Sequence, residues 1–251
     1  MDKRASTAQL RTRLLSGGTS VGSWMQIPHP SIAEILGQDG YDWIAFDMEH
    51  GSFGVAQLPD LCRAVELGGT LPLVRLAQGH PKDCKQALDA GAGGVIVPNV
   101  ASARQLMEVR DACRWPPAGV RGVGFSRANL FGKLFDTYRE QAQAPFLVAM
   151  IEGRDALENL PEILCVEGLD AILIGPYDLS ASMKLTAQFD SPEFLGAIGK
   201  IRVQAEQANV ACGVHVVTPS PVILKQRLAE GFRFVAYGTD ALFLMHGSQR
   251  S

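Results

Sequence analysis

Short apolar runs alternate with amphipathic stretches along the whole chain. The runs at 20–25, 42–46, 71–75, 94–97, 146–151, 170–174, 211–215 and 232–236 are rich in Val, Ile, Leu and Ala, as strands buried on both faces are. Between them apolar residues recur at helical spacing, in 55–67 (Leu58, Leu61, Val65), 82–90, 102–112, 155–164 and 193–208. A further helix over 5–15 carries Leu10, Leu14 and Leu15, and Gly17-Gly18 stop it. Strands alternating with helices predict a parallel sheet, and eight strands close an α/β barrel of the (β/α)8 TIM type. A six- or seven-stranded doubly wound sheet is the alternative. It would want a GxGxxG after its first strand, and the chain has none there.

One interval breaks the rhythm. Residues 115–129, from Trp115-Pro-Pro-Ala-Gly to Phe125-Ser-Arg-Ala-Asn129, are rich in Gly, Pro and Arg and have no clean period. This reads as a long irregular strand-to-helix connection, expected on the face that carries the strand C-termini.

Composition changes this picture little. The chain has 251 residues, 47% of them hydrophobic, enough for one barrel domain over 1–251. The formal net charge is −3 with no basic block, so nucleic acid is not an expected partner. Cys62, Cys84, Cys113, Cys165 and Cys212 are scattered, with no CxxC, and read as reduced thiols of a cytoplasmic protein. The segment Met1-Asp-Lys-Arg-Ala has no apolar core and no apolar run approaches the roughly 18 residues of a membrane span, so neither secretion nor a membrane partner is expected.

Candidate chemistry collects at strand ends, where barrels of this type keep it. Asp170-Ala-Ile-Leu-Ile-Gly-Pro-Tyr-Asp178 reads as a strand, a Gly-Pro break and an acid opening a helix. Glu152 closes the preceding apolar run. Two such carboxylates can hold a hard divalent ion that keeps water and substrate oxygens on its other positions. Asp47, Glu49 and His50 follow the second strand. Asp47 could orient the His50 ring as a base; alternatively His50 caps the next helix and Glu49 is solvated. Arg75 ends the third strand, placed for a substrate carboxylate or an enolate oxygen, or else for an ion pair with a neighbouring acid. Asp89 sits in the last turn of a helix, against the dipole, which reads as a plain surface acid or hints at a partner.

Read together, Asp-Met-Glu-His-Gly, Gly-Val-Ile-Val-Pro-Asn, Pro-Pro-Ala-Gly-Val-Arg-Gly-Val-Gly, Ile-Glu-Gly-Arg-Asp-Ala-Leu and Ala-Ile-Leu-Ile-Gly-Pro-Tyr-Asp-Leu-Ser occur in an order that resembles the HpcH/HpaI family of metal-dependent (class II) pyruvate aldolases, over about residues 10 to 246. The resemblance implies a (β/α)8 barrel and a bound Mg, Mn or Co ion. It implies reversible cleavage of a 4-hydroxy-2-oxoacid to pyruvate and an aldehyde. Carried over by position, Glu152 and Asp178 match the metal ligands, His50 with Asp47 the base, and Arg75 the residue on the pyruvyl oxygens. Asp89 matches an acid that reaches a neighbouring subunit's site. Gly175, Pro176 and Tyr177 would face the pyruvate carboxylate, and Trp24 matches an aromatic beside the aldehyde. Relatives are commonly homohexamers, trimers of dimers that exchange the last helix. A citrate-forming or other enolate-condensing relative using oxaloacetate is the competing reading.

Three positions depart from the family pattern. Met150 replaces a frequent Gln two residues before Glu152, and Lys184 stands where Gly is frequent. His215 stands where an apolar residue often lines the aldehyde pocket; it suggests a polar, hydroxylated or anionic acceptor, or else is a histidine satisfied at its strand end. Ser126, Arg127 and Asn129 could contact that acceptor or a neighbouring subunit. No strand-end lysine suggests a Schiff base.

Overall fold

In a computed structural model describing residues 3–249, the eight apolar runs pair in chain order. The strands are β1 (Ser20–Met25), β2 (Trp43–Asp47), β3 (Leu71–Arg75), β4 (Gly94–Val97), β5 (Phe146–Ile151), β6 (Ala171–Ile174), β7 (Ala211–Val216) and β8 (Phe234–Thr239), all parallel, and β8 closes on β1. A helix precedes the barrel, α1 (Lys3–Leu15). Ten return helices follow: α2 (Pro30–Gln38), α3 (Leu58–Leu67), α4 (Pro81–Ala90), α5 (Ala103–Cys113), α6 (Phe135–Gln141), α7 (Arg154–Glu158), α8 (Leu160–Leu164), α9 (Pro176–Ser182), α10 (Pro192–Gln207) and α11 (Pro221–Ala229). The last is α12 (Asp240–Ser248). Among the described residues no helix is long and apolar enough to cross a membrane.

Alternation along each strand divides the core in two. Outward residues such as Ile44, Phe46, Val74, Val95, Ile151 and Ile172 are buried beneath the helices. Inward residues fill the barrel. At its N-terminal end Trp43 stacks on Phe234 with centroids 4.5 Å apart, Phe146 lies beside Phe234, and Leu10 and Leu14 of α1 plug the opening. The Arg11–Asp170 ion pair pins α1 over that end. Large rings fit there because β1 offers Gly22, where a Cβ would lie 2.0 Å from the Trp43 ring.

Two expected boundaries shift, and one departure gains a reason. The helix at 155–164 is two short helices, because Pro161 at the start of α8 cannot continue the ladder from α7. The eighth strand runs to Thr239, three residues past its apolar run. Its pairing with β1 survives a register shift between Gly22 and Trp24, beside Gly238 at φ +60°. Lys184 lies just past α9 at φ +62°, a left-handed position that favours glycine, which accounts for the glycine expected there.

The larger correction concerns residues 115–133. They follow α5, which has already carried the chain back to the N-terminal end of the barrel, so they form a helix-to-strand connection. Trp115 accordingly bonds Ala142 just ahead of β5, and Arg121 lies in a cavity with Thr7 and Ala8 of α1. This interval is on the face opposite Glu152 and Asp178. Ser126, Arg127 and Asn129 serve the loop itself: Arg127 pairs with Glu66, and buried Asn129 bonds Ser126, Gly124 and Gly132.

Gly22→Ala is expected to destabilise the chain by about 3 kcal/mol, since the Trp43 ring it would strike is boxed in by Phe234. Urea denaturation measures this, and an unchanged midpoint would show that the ring has room to move.

Candidate active site

On three strands the inward stripe becomes polar at the C-terminal rim. On β2 it runs Trp43, Ala45, Asp47; on β3 Leu71, Leu73, Arg75; on β7 Ala211, Gly213, His215. Asp47 and Arg75 are direct neighbours in the β2–β3 register. The guanidinium therefore meets the carboxylate as a fork, Nε to Oδ1 at 2.8 Å and Nη2 to Oδ2 at 2.6 Å. Asp47 is fully buried and Arg75 only 9% exposed. Burial alone would raise the Asp47 pKa. The Arg75 bonds and charge, the Gln26 amide and the His50 main-chain N–H outweigh it and hold the carboxyl below its ordinary value.

Arg75 has further neighbours. Its Nη1 lies 3.1 Å from Glu49 Oε2 and 3.9 Å from the Met150 sulfur, and its guanidinium carbon is 4.7 Å from the centre of the Trp24 ring. Met150 thus presents a thioether, a weak acceptor, to the guanidinium.

The expected Asp47–His50 ring pair is not what forms. Asp47 Oδ1 accepts the main-chain N–H groups of Glu49 and His50, while the His50 ring is exposed at the cavity wall. Asp47 shapes the turn that carries His50, and does not orient its imidazole. The tight turn leaves the carboxylate facing backbone N–H groups, and Arg75 and Gln26 take its outer lone pairs.

The second group of acids sits across the rim. Glu152 is buried just after β5; Asp178, in the first turn of α9, is exposed and lines the cavity. Asn99, past the end of β4 and left-handed at φ +52°, donates its main-chain N–H to Glu152 Oε1 at 2.6 Å and its amide to Glu49 Oε1 at 3.1 Å. Burial raises the Glu152 pKa to about 7; the Asn99 bond opposes this, and the charges of Glu49 and Asp178 add to it. Burial likewise raises Glu49, against the pull of Arg75.

These acids suit a hard cation. The charges of Glu49 and Asp178 bear on Glu152 against that of Arg75, and Glu152 Oε2 points into space that Gly175 leaves open, where a Cβ would stand 2.6 Å away. Among the described residues no three His, Cys, Asp or Glu side chains are grouped to hold a metal. A cation here would rest on Glu152 and Asp178 and keep water or substrate oxygens, as magnesium does.

The cavity over these groups holds about 450 Å³. One wall carries Asp47, His50, Arg75, Met150, Gly175, Pro176, Tyr177 and Asp178. The other carries Trp24, His215, Val217, Thr239 and the Leu242 and Met245 side chains of α12. Asp89 is not among them. It lies near the C-terminal end of α4, at the far end of the barrel, with its carboxylate 4.0 Å from Arg121 Nη1. Within one chain it cannot join the site.

Gln26 and Asp240 are positioning residues that the motifs do not name. Gln26 holds Asp47 at 3.0 Å and is the next inward position after Trp24, so the period of two would have found it. Buried Asp240 bonds the main-chain N–H groups of Gln26 and Ile27 and fixes that turn. Asn99 lay within a recognised motif, but its two bonds depend on a left-handed backbone that no pattern announces.

The model of the family described as HpcH/HpaI aldolase/citrate lyase matches residues 20–247. A hydroxypyruvate/pyruvate aldolase of Roseobacter denitrificans is 37% identical over 236 residues, covering 93% of this chain and 91% of its own. A 2-keto-3-deoxy-L-rhamnonate aldolase of Salmonella gallinarum is 38% identical over 91% of this chain and 86% of its own. The crystal structure of an HpcH/HpaI aldolase/citrate lyase family protein from Burkholderia cenocepacia superposes with a TM-score of 0.89 at 28% identity, over 96% of each chain.

Arg75→Met would leave Asp47 charged and buried, at an expected cost of about 3–5 kcal/mol in urea denaturation; a cost below about 1 kcal/mol would mean that water reaches the carboxylate. Glu152 titrates near 7 in the folded metal-free chain against an ordinary 4.5. Folding favours its protonated form, so its contribution is complete below pH 4.5 and is lost as pH rises through 7. The melting temperature of metal-free protein should fall over that window, and Glu152→Gln should flatten the fall. An identical slope in the variant would assign the effect elsewhere.

Proposed function

The chain belongs to the HpcH/HpaI aldolase/citrate lyase family and is a carbon–carbon lyase, and from that premise we propose how it acts on its substrate. It cleaves a 4-hydroxy-2-oxoacid, sugar-acid-like in character, reversibly to pyruvate and an aldehyde. A divalent ion, Mg, Mn or Co, is held by Glu152 and Asp178. The observation that carries this reading is the meeting of Glu152, Asp178 and a pinned Arg75 at one rim of the barrel.

When bound, the ion supplies Lewis-acid stabilisation of the charge that develops on the 2-oxo oxygen, worth several kcal/mol. The rest falls to the chain. Asp47 holds Arg75 through Nε and Nη2 and Glu49 lies against Nη1, so its charge stands beside the enolate oxygen without reorganising. His50 takes the proton of the 4-hydroxyl. The C3–C4 electrons move into the enolate, the 4-carbon leaves as an aldehyde, and protonation at C3 completes pyruvate. The backbone around Gly175, Pro176 and Tyr177 faces the pyruvate carboxylate. Trp24 and His215 wall the aldehyde.

Asp89 acts in the site of a second copy, within a homohexamer built from dimers. Support for exchange of the last helix comes from α12, whose Leu244 and Met245 are exposed while Asp240 alone is buried. Free cysteines, four of them buried, fit a cytoplasmic setting.

Aldol addition of pyruvate to a panel of aldehydes, with Mg or Mn and with EDTA, tests the reading. Turnover should require the ion. Glu152→Ala and Asp178→Ala should each lower kcat/KM more than 100-fold with unchanged circular dichroism; full activity in either removes that residue from the ligand set. Asp89→Asn should lower kcat without loosening metal binding, and an unaltered rate would leave it a surface acid.

A further inference from the structure

The proposed reading leaves the aldehyde open, and the wall formed by β7, β8 and β1 narrows it. His215 is the last inward residue of β7, half-buried, and tilted against Trp24 with ring centres 5.9 Å apart. Its Nε2 lies 3.1 Å from the carbonyl oxygen of Gly238. A carbonyl can only accept, so Nε2 carries the proton and donates. Gly238 presents that oxygen because its φ of +60° turns the backbone at the irregularity of β8.

The second nitrogen is then defined. Burial pushes the ring pKa down to about 4, and the nearby Arg75 charge acts in the same direction against the Gly238 bond, so the ring is neutral at ordinary pH. With its proton on Nε2, a neutral imidazole offers Nδ1 as a bare lone pair. Nδ1 has no partner among the described residues, and His215 lines the cavity.

The charge around it points the same way. Arg75 is the only Arg or Lys among the described residues lining this cavity, and Asp47 and Glu49 hold it at the end that takes the oxoacid. The wall around His215 is otherwise Trp24, Val217, Thr239, Leu242 and Met245. A carboxylate placed against Nδ1 would meet a lone pair, and the unpartnered donor on this wall is the neutral Trp24 indole N–H. A hydroxyl would find an acceptor.

We infer that His215 Nδ1 is a fixed hydrogen-bond acceptor that selects aldehydes bearing a hydroxyl beside the carbonyl over alkyl or carboxylate-bearing aldehydes. This rests on the aldolase reading and decides between the hydroxylated and anionic acceptors that a histidine alone leaves open.

The test compares kcat/KM for addition of pyruvate, with magnesium, to glycolaldehyde, to propanal, which replaces the hydroxyl by a methyl, and to succinate semialdehyde, which carries a carboxylate. Wild type should prefer glycolaldehyde to propanal by about tenfold, the span of one neutral hydrogen bond, and should use succinate semialdehyde least. His215→Phe should bring the glycolaldehyde-to-propanal ratio to within about threefold of unity. That ratio does not depend on how much of the variant is folded, and the wild-type comparison stands without it. Turnover with propanal or succinate semialdehyde equal to or above glycolaldehyde overturns the inference, as does a tenfold ratio that persists in the variant. Absence of turnover with every aldehyde overturns the aldolase reading itself.

Discussion

The Asp47–Arg75 pair is the constraint on which the site depends. Parallel register sets the two residues side by side at the ends of β2 and β3. Low dielectric makes their separation costly, since either charge left alone would be buried without a partner. The pair then fixes its neighbours. Asp47 closes the turn that carries Glu49 and His50, and Arg75 packs on Trp24, Glu49 and Met150. A side-chain and backbone chain through Gln26 to Asp240 ties this corner to the barrel's closing strand.

Around that corner the charge is unbalanced: Arg75 already pairs with Asp47 and Glu49, and Glu152 is raised to about 7, first by burial and then by the charges of Glu49 and Asp178. Asn99 keeps two of the acids in place with one residue. The cavity is thus divided. One wall is acidic and suited to a divalent ion and the oxoacid oxygens. The other is neutral, ring-lined and supplied with one lone pair at His215.

The barrel and most of this rim are legible in the sequence because both follow from a period of two. Apolar runs mark the strands, and continuing the inward stripe by one step lands on Asp47, Arg75, Glu152 and His215. What resists reading has physical causes. The 115–133 interval was expected on the catalytic face, but α5 intervenes and reverses the chain. The Asp47–His50 ring contact was expected from spacing, but backbone N–H groups in the tight turn compete for the same carboxylate. Asn99 and Gly238 act through left-handed backbone, which leaves only a faint trace in residue type. Asp89 lies at the wrong end of its own barrel, and only an assembly of chains can give it the role that its position in the family pattern suggests.

The central claim is that this rim stabilises the enolate of pyruvate. Exchange of the pyruvate methyl protons for deuterium, followed by proton NMR in deuterium oxide with magnesium and no aldehyde, tests it apart from any choice of acceptor. The account predicts loss of the methyl signal at a rate proportional to enzyme, and no loss once EDTA is added. A methyl signal that persists with enzyme and magnesium present, or that decays equally with EDTA, would contradict it.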